Sequence, residues 1–365
     1  MTRMLHVAVI MAGGSGERFW PVSRANRPKQ LLRLVNPDRS MLQEALDHVT
    51  PLIPPRQVYV QTSGELADAI RRETPELPPD NILVEPCRRN TAGCLCYAAA
   101  SLLARHAAPP DQLVMAVLTA DHAVRDADGF RRTLAAAVKA AEGTDTLVTI
   151  GIPPTHPSTG YGYIQTDTKP GQLSTARVLA FHEKPDLPTA ERYITAGGYF
   201  WNSGMFFWRL DVFLRELEAA APEHARAVRE MAAALRQNDR NTAAELFSRL
   251  PSISIDYALM EKTRRVSMIL AAFDWDDVGS WPALARLRGA DKHGNVTQGD
   301  PLLADCKDCV VYHEAGGDDR AVAVLGAKDL VVVVTPDAVL VMPKDRAEEL
   351  RTVIEQLRKR GAKQL

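Results

Sequence analysis

The residues most suited to chemistry come early, in the glycine-rich loop AGGSGERFWPVSRANRPKQLL at residues 12–32. The loop follows an apolar run, residues 5–11, and so occupies the carboxyl end of a first strand, where open parallel sheets bind ligands. The loop is not a Walker A loop, because no Gly-Lys-Ser/Thr follows, and it is not a dinucleotide fingerprint, because Phe19 stands where the third glycine belongs. Its backbone N–H groups suit phosphate oxygens. Arg18 and Lys29 add two cations, which favours a triphosphate over a plain turn.

Two acidic segments lie far apart in the sequence. LTADH, residues 118–122, ends an apolar strand with Asp121, and FDWDDVGSW, residues 273–281, contains Asp277. A carboxylate at a buried strand end needs a partner, and Mg²⁺ held by one or two carboxylates plus substrate phosphates is one such partner. A helix N-cap or salt bridge explains the first segment equally well. A solvated loop explains the second.

Four further segments are weak signals when taken singly. EPCRRNTAGC, residues 85–94, is typical of a helix start, and STGYGYI, residues 158–164, is typical of a glycine hairpin. FHEKPD, residues 181–186, reads as a charged strand end, and WNSGMFFW, residues 201–208, has the aromatic density of a buried segment. Asn202 is different, because an amide beside a Ser-Gly turn can bind a hydroxyl group.

Taken in order, these seven segments resemble the motifs of the sugar-1-phosphate nucleotidylyltransferases, and most closely those of mannose-1-phosphate guanylyltransferases. The resemblance spans about residues 5–285. It implies nucleotidyl transfer from GTP to α-D-mannose 1-phosphate, which gives GDP-mannose and pyrophosphate. The chain departs from the usual motifs at Glu17, Phe19, Gly93 and Thr119, and His182 occupies a variable position.

The resemblance also implies a role for each matching residue. The expected catalytic residues are Arg18, Lys29, Asp121, Lys184 and Asp277. The expected nucleotide-binding residues are Ala12, Gly13, Gly14, Gly16, Arg18, Lys29, Glu85, Arg89, Asn90, Thr91 and Asp121. The expected sugar-phosphate-binding residues are Gly160, Glu183, Lys184 and Asn202. Asp121 and Asp277 would hold the metal, Mg²⁺ with Mn²⁺ as a substitute.

The elements that must position these residues follow an alternating pattern in the first half of the chain. Strands are predicted at 5–12, 57–62, 81–85, 113–120 and 146–152, with helices near 40–49, 64–73, 91–107 and 129–142. Such alternation predicts parallel strands covered by helices. A capping box, Ser40-x-x-Gln43, opens the first helix. Later come strands at 161–165 and 176–181 and helical stretches near 209–237 and 242–249. The fold class expected is α/β, a Rossmann-like nucleotidyltransferase domain with a mixed central sheet.

The texture changes after residue 284, where short β-branched runs are broken by Gly, Asp and Pro. We expect a catalytic domain at residues 1–284 and a small C-terminal β-rich domain at residues 285–365, closed by a charged helix at 346–360. The family resemblance implies a left-handed β-helix there and a homodimer. It also implies that the chain is too short to carry an added isomerase domain.

Composition excludes several kinds of partner. With 44 basic and 45 acidic residues in 365, the net charge is −1 and no run of like charge stands out, so neither nucleic acid nor a membrane is an expected partner. Five cysteines do not form a secreted disulfide framework, which favours a cytoplasmic location. Cys306 and Cys309 lack companions at metal-binding spacing, so a zinc site is not expected.

Three alternatives remain open at this stage. The first is the same chemistry with another nucleoside triphosphate or another sugar 1-phosphate, such as glucose or heptose. The second is a non-catalytic regulatory homologue that binds nucleotide sugar, which the full set of cationic and acidic residues argues against. The third is a nicotinamide dehydrogenase, which the missing third glycine disfavours.

Overall fold

The computed structural model describes residues 4–14, 16–168, 170–314 and 320–365. The chain forms two compact units. Unit 1 comprises Met1–Ala12, Ala45–Thr119 and Val124–Asp274, and unit 2 comprises Gly13–Glu44, Ala120–Ala123 and Trp275–Leu365. The sequence-based division into residues 1–284 and 285–365 remains a prediction.

The elements are numbered along the chain. The strands are β1 (Leu5–Met11), β2 (Val58–Ser63), β3 (Ile82–Glu85), β4 (Leu113–Thr119), β5 (Ala123–Val124), β6 (Leu147–Ile152), β7 (Tyr163–Thr166), β8 (Thr175–His182), β9 (Tyr199–Arg209), β10 (Val266–Leu270), β11 (Trp275–Asp276), β12 (Val296–Gln298), β13 (Leu302–Ala304), β14 (Val310–His313), β15 (Ala323–Leu325), β16 (Leu330–Val334) and β17 (Val339–Pro343). The α-helices are α1 (Met41–Val49), α2 (Ala67–Glu73), α3 (Asn90–Arg105), α4 (Ala127–Gly143), α5 (Leu187–Ala196), α6 (Leu210–Ala220), α7 (Pro222–Arg236), α8 (Arg240–Ser248), α9 (Leu284–Leu287) and α10 (Leu350–Lys359).

Within its described residues, unit 1 contains a nine-stranded mixed sheet in the order β3-β2-β1-β4-β9-β6-β10-β8-β7. Strands β3, β2, β1 and β4 are parallel, as the alternation of strands and helices in the sequence predicts. Strand β9 lies between β4 and β6 and is antiparallel to both. The aromatic segment predicted only as buried core is this strand. Its side chains do pack in the core, since Phe207 and Trp208 are fully buried.

Local sequence signals explain several helix ends. The predicted capping box forms at the start of α1, where the Ser40 and Gln43 side chains each accept a hydrogen bond from the other residue's backbone N–H. The helical stretch expected near 209–237 is two helices, because α6 ends at Ala220 and α7 begins at Pro222. Proline lacks the N–H that a continuous helix needs but suits the first turn of a new one.

The later part of unit 2 is β-rich. Strands β12, β14 and β16 stack in parallel, β17 joins them antiparallel, and β13 pairs in parallel with β15. Short parallel strands at regular chain intervals are typical of a β-helix. The expected α/β fold with a mixed sheet and a C-terminal β-helix-like domain is confirmed. Across the ranges described above, every helix is too short or too polar to cross a lipid bilayer.

Candidate active site

The glycine-rich loop is folded tightly against Lys29 in unit 2. Gly16 has a φ of +62°, a left-handed conformation that favours glycine. A Cβ atom at Gly16 would lie 2.4 Å from the backbone nitrogen of Lys29. The side-chain amide of Gln30 donates a hydrogen bond to the Gly14 carbonyl (3.3 Å). Any side chain at position 16 would therefore push the loop away from Lys29.

Lys29 brings three distant parts of the sequence together. Its side chain is 9% exposed, and its Nζ donates to the Asp121 carboxylate (3.0 Å) and to the Asp277 carbonyl (2.6 Å). Burial raises the pKa of the Asp121 carboxyl, but the Lys29 ammonium and the neighbouring His122 outweigh burial, and the pKa lies below its ordinary value. Asp121 is therefore a carboxylate at neutral pH.

One cavity of about 500 Å³ in unit 2 is lined by this group. Its lining includes Gly16, Arg18, Lys29, Asp121, Asp277 and Arg351. The predicted phosphate-binding loop, its two cations and the two predicted metal ligands therefore share one cavity. Carboxylate oxygens suit a hard divalent cation that also binds phosphates, so the residues present fit the predicted metal.

The backbone beside Asp277 is strained. Val278 has a φ of +49°, a left-handed conformation that is costly for a β-branched residue. Its side chain is fully buried, and its N–H donates to the Asp276 carboxylate (2.8 Å). Strain of this kind persists where the surrounding structure fixes it, and it is common at functional sites. It fixes the turn from which the Asp277 side chain projects.

Arg18 has an acidic partner from the C-terminal part of the chain. Its guanidinium lies 3.0 Å from the Glu348 carboxylate, and its Nε is buried without a hydrogen-bond partner among the described residues. Both side chains are partly exposed. The pair is consequently weak and open to competition from another anion.

His122 and Trp275 form a contact in unit 2 that sequence reasoning missed. The Trp275 indole N–H donates to the His122 ring (3.1 Å), and the two rings meet edge to face. Burial lowers the pKa of His122, which is therefore neutral near pH 7. The His in the LTADH motif was the available signal.

In unit 1, the STGYGYI and FHEKPD segments meet, because β7 and β8 pair antiparallel with Tyr163 opposite His182. Glu183 follows β8 with a side chain 10% exposed, and it accepts a hydrogen bond from Lys184 Nζ (2.7 Å). A Cβ at Gly162 would lie 2.6 Å from the Glu183 carboxylate. Gly162 is therefore the glycine that makes room for Glu183, whereas the predicted Gly160 donates its N–H to the Ser158 hydroxyl (3.2 Å).

Asn202 of β9 is held in one orientation. Its amide Oδ1 accepts from the Gly204 N–H (3.1 Å) and from the Thr149 hydroxyl (3.3 Å), and its Nδ2 donates to Asp256 (3.1 Å). Burial, together with the Glu183 charge, raises the pKa of Asp256 to about 6. Sequence reasoning missed Asp256. The only signal was an acidic residue in the otherwise apolar stretch ISIDYALM.

Five of the residues predicted to bind the nucleotide are in unit 1: Ala12, Glu85, Arg89, Asn90 and Thr91. The buried Gln61 amide donates to the Glu85 carboxylate (3.0 Å), and burial raises the pKa of Glu85 above its ordinary value. The Thr91 hydroxyl accepts from the Ile255 N–H (2.9 Å), and the Arg89 guanidinium donates to the Ser248 carbonyl. The remaining predicted residues follow: Asn90 Oδ1 accepts from the Thr91 N–H, and the Ala12 carbonyl accepts from the Thr62 hydroxyl.

Comparison with known proteins agrees with this geometry. A family described as nucleotidyl transferase matches residues 7–293, and a family described as mannose-P isomerase/GMP-like β-helix domain matches residues 299–357. The mannose-1-phosphate guanylyltransferase of Escherichia coli is 35% identical, over 98% of this chain and 77% of that protein. The chain belongs to the mannose-1-phosphate guanylyltransferase family of nucleotidyl transferases.

Two further relatives agree with this assignment. The alginate biosynthesis protein AlgA of Pseudomonas aeruginosa is 37% identical, over 97% of this chain and 73% of that one. A crystal structure from Thermus thermophilus, described as a mannose-1-phosphate geranyltransferase, has 37% identity and a TM-score of 0.85 and covers 97% of this chain and all of that one. Nucleotidyltransferases of this family generally use a divalent metal ion.

Proposed function

We propose that the protein transfers the GMP part of GTP to α-D-mannose 1-phosphate, giving GDP-mannose and pyrophosphate. The observation that carries the proposal is the meeting of Lys29, Asp121 and Asp277 at one cavity with Arg18. The activity for which the Escherichia coli relative is named supports the choice of substrates.

The reaction needs no general base. A sugar 1-phosphate has a second pKa of about 6 and is mostly a dianion near pH 7. The barrier is repulsion between two polyanions, so positioning and charge neutralisation supply the catalysis. A phosphate oxygen of mannose 1-phosphate attacks the α-phosphorus in line, the bond from that phosphorus to the pyrophosphate oxygen breaks, and no covalent enzyme intermediate forms.

In this scheme the cationic side chains bind the phosphate groups of the two substrates. Arg18 and Lys29 bind the triphosphate and offset the charge that grows on the departing pyrophosphate. Lys184 binds the phosphate of the incoming sugar. The N–H groups of Gly13, Gly14 and Gly16 serve as further phosphate donors.

Asp121 and Asp277 are the residues that would hold the divalent ion, and we propose Mg²⁺, with Mn²⁺ as a substitute. When bound, the ion supplies positive charge between the reacting phosphates. Lys29 keeps Asp121 ionised and donates to the Asp277 carbonyl, which supports this role for the two residues.

The remaining residues select base and sugar. Glu85, Arg89, Asn90 and Thr91 are proposed to bind guanine, whose edge is rich in donors and acceptors. Gly160, Glu183 and Asn202 are proposed to bind the sugar hydroxyls. The predicted homodimer stays a prediction.

The experiment is pyrophosphate release by the purified protein with GTP, ATP, UTP or dTTP crossed against mannose, glucose and heptose 1-phosphates. The proposal expects kcat/KM to be highest for GTP with mannose 1-phosphate. A different best pair would overturn the substrate assignment. Binding of nucleotide sugar without turnover on any pair would instead favour the regulatory alternative.

A further inference from the structure

One lining residue of the 500 Å³ cavity comes from the far end of the chain. Arg351 lies in the first turn of α10, whereas the other lining residues belong to positions 16–29, 121–122 and 277–279. None of the sequence motifs includes this residue. Its presence in the cavity is a consequence of how the C-terminal helix packs within unit 2.

The helix α10 is fixed against the glycine-rich loop by several contacts. Leu350 and Ile354, one turn apart, are buried in the cluster that contains Phe19. Two turns after Arg351, Arg358 donates to the Glu17 carboxylate (3.0 Å). Residues seven apart share one face of a helix, so Arg351 projects on the side that contacts the loop.

The charges around the cavity leave Arg351 available. Lys29 is paired with Asp121, Arg18 with Glu348, and Glu17 with Arg358. Among the described residues, Arg351 is an exposed cation with no hydrogen-bond or ion-pair partner. A guanidinium on the wall of a cavity beside a phosphate-binding loop matches the geometry of a phosphate group.

We propose that Arg351 binds the terminal phosphates of the nucleoside triphosphate, so that the C-terminal helix completes the nucleotide site. The inference rests on the proposed function. Arg351 contacts the β- and γ-phosphates in this proposal because it lines the same cavity as Arg18 and Lys29, which are proposed to bind the triphosphate. The monophosphate part that remains in the product makes no use of Arg351.

The test is isothermal titration calorimetry of the full chain with GTP, inorganic pyrophosphate and GMP, each with Mg²⁺. Arg351→Gln is compared with Arg360→Gln, which removes the same charge from an exposed residue just beyond α10. A charged phosphate contact is worth about tenfold in affinity. We expect Arg351→Gln to raise the Kd for GTP and for pyrophosphate about tenfold and to change the Kd for GMP by no more than about twofold. Arg351→Lys should restore part of the lost affinity.

The outcomes separate the two proposals. If Arg351→Gln binds GTP and pyrophosphate as tightly as the wild-type protein does, the role proposed for Arg351 is wrong, while the proposed function stands. Equal weakening of GMP would also overturn it, because that pattern indicates general damage to the site. A wild-type protein that binds no GTP at all would overturn both. The melting temperature of each variant, expected to match wild type, verifies folding.

Discussion

The glycine-loop cavity in unit 2 and the Glu183–Asn202 group in unit 1 shift the pKa of an aspartate in opposite directions. The cavity gathers Arg18, Lys29 and Arg351 with two carboxylates, and Lys29 keeps Asp121 ionised. The unit 1 group places Asp256 near Glu183, and the pKa of Asp256 rises to about 6. We propose that the first group binds phosphates and a cation and that the second binds hydroxyl groups, with Lys184 beside Glu183.

The difference teaches which substrate each group suits. A polyanion needs cationic side chains whose existing ion pairs are weak enough to break. The partly exposed pair of Arg18 and Glu348 is of this kind. A sugar needs fixed donors and acceptors, and Asn202 is fixed by three hydrogen bonds. Removing one residue from each group should therefore affect the two substrates separately.

The largest effect is expected for Arg18→Ala. The change removes a cation that offsets charge on the departing pyrophosphate, so kcat/KM should fall about 100-fold or more while the melting temperature stays normal. Pyrophosphate-release kinetics and thermal unfolding check this. Arg27→Ala is the control, because Arg27 pairs with Glu314 outside the cavity lining. A large loss of stability with activity retained per folded molecule would contradict the assignment.

Lys184→Ala should act on the other substrate. Loss of one charged phosphate contact is expected to raise the KM for mannose 1-phosphate about tenfold and to leave the KM for GTP unchanged. Initial rates with each substrate varied in turn measure the two constants. Lys139→Ala, an exposed lysine on α4, is the matched control. A rise confined to the KM for GTP would reverse the roles given to the two groups.

Individual strands and helix ends show how much of the fold could be predicted from the sequence. The parallel strands β1–β4 and the capping box of α1 follow from local apolar runs and side-chain chemistry, and both were predicted correctly. Strand β9 was missed because its eleven residues, buried on both faces, show no alternation.

The residues that support the site could not be predicted from the sequence, for a related reason. Asp256 and Gly162 contact residues far away in the sequence, and Arg351 lines the cavity through the packing of α10. Spacing along the chain carries no record of either. The Glu348 partner of Arg18 depends on the packing of α10 and has no local signature either. By contrast, Lys29, Asp121 and Asp277 stand in recognisable motifs.

A separate effect concerns stability and sharpens the contrast between Asp121 and Asp256. The pKa of Asp256 is raised from 3.8 to about 6, so the folded state holds this proton more tightly than the unfolded state. Stability from this group is full below pH 4 and is lost as pH rises to about 6. Each pKa unit is worth about 1.4 kcal/mol, so the loss is about 3 kcal/mol.

Asp256→Asn removes this titration and keeps an acceptor for Asn202. The free energy of unfolding of wild type minus that of Asp256→Asn, from urea titrations between pH 4 and 7, should therefore fall by about 3 kcal/mol. A difference that does not change with pH would show that Asp256 has an ordinary pKa. The groups that face it, Glu183 and Lys184, are unchanged in both proteins.

The smallest effect is expected for Glu348→Gln. The Glu348 carboxylate competes with phosphates for Arg18, and an exposed ion pair is worth at most about 1 kcal/mol. The KM for GTP should therefore fall by about twofold to fivefold. Glu349→Gln is the control, because Glu349 pairs with Arg346 instead. A higher KM for GTP in Glu348→Gln would mean that Glu348 positions Arg18 for the substrate.

The central claim is that Asp121 and Asp277 together support nucleotidyl transfer by binding a divalent ion. The most direct measurement follows label from [α-³²P]GTP into GDP-mannose, with and without Mg²⁺, in wild type and in Asp277→Asn. The account predicts labelled GDP-mannose from wild type only when Mg²⁺ is present, and at least about a 100-fold lower rate from a folded Asp277→Asn. Undiminished transfer by Asp277→Asn, or equal transfer by wild type without any divalent ion, would contradict it.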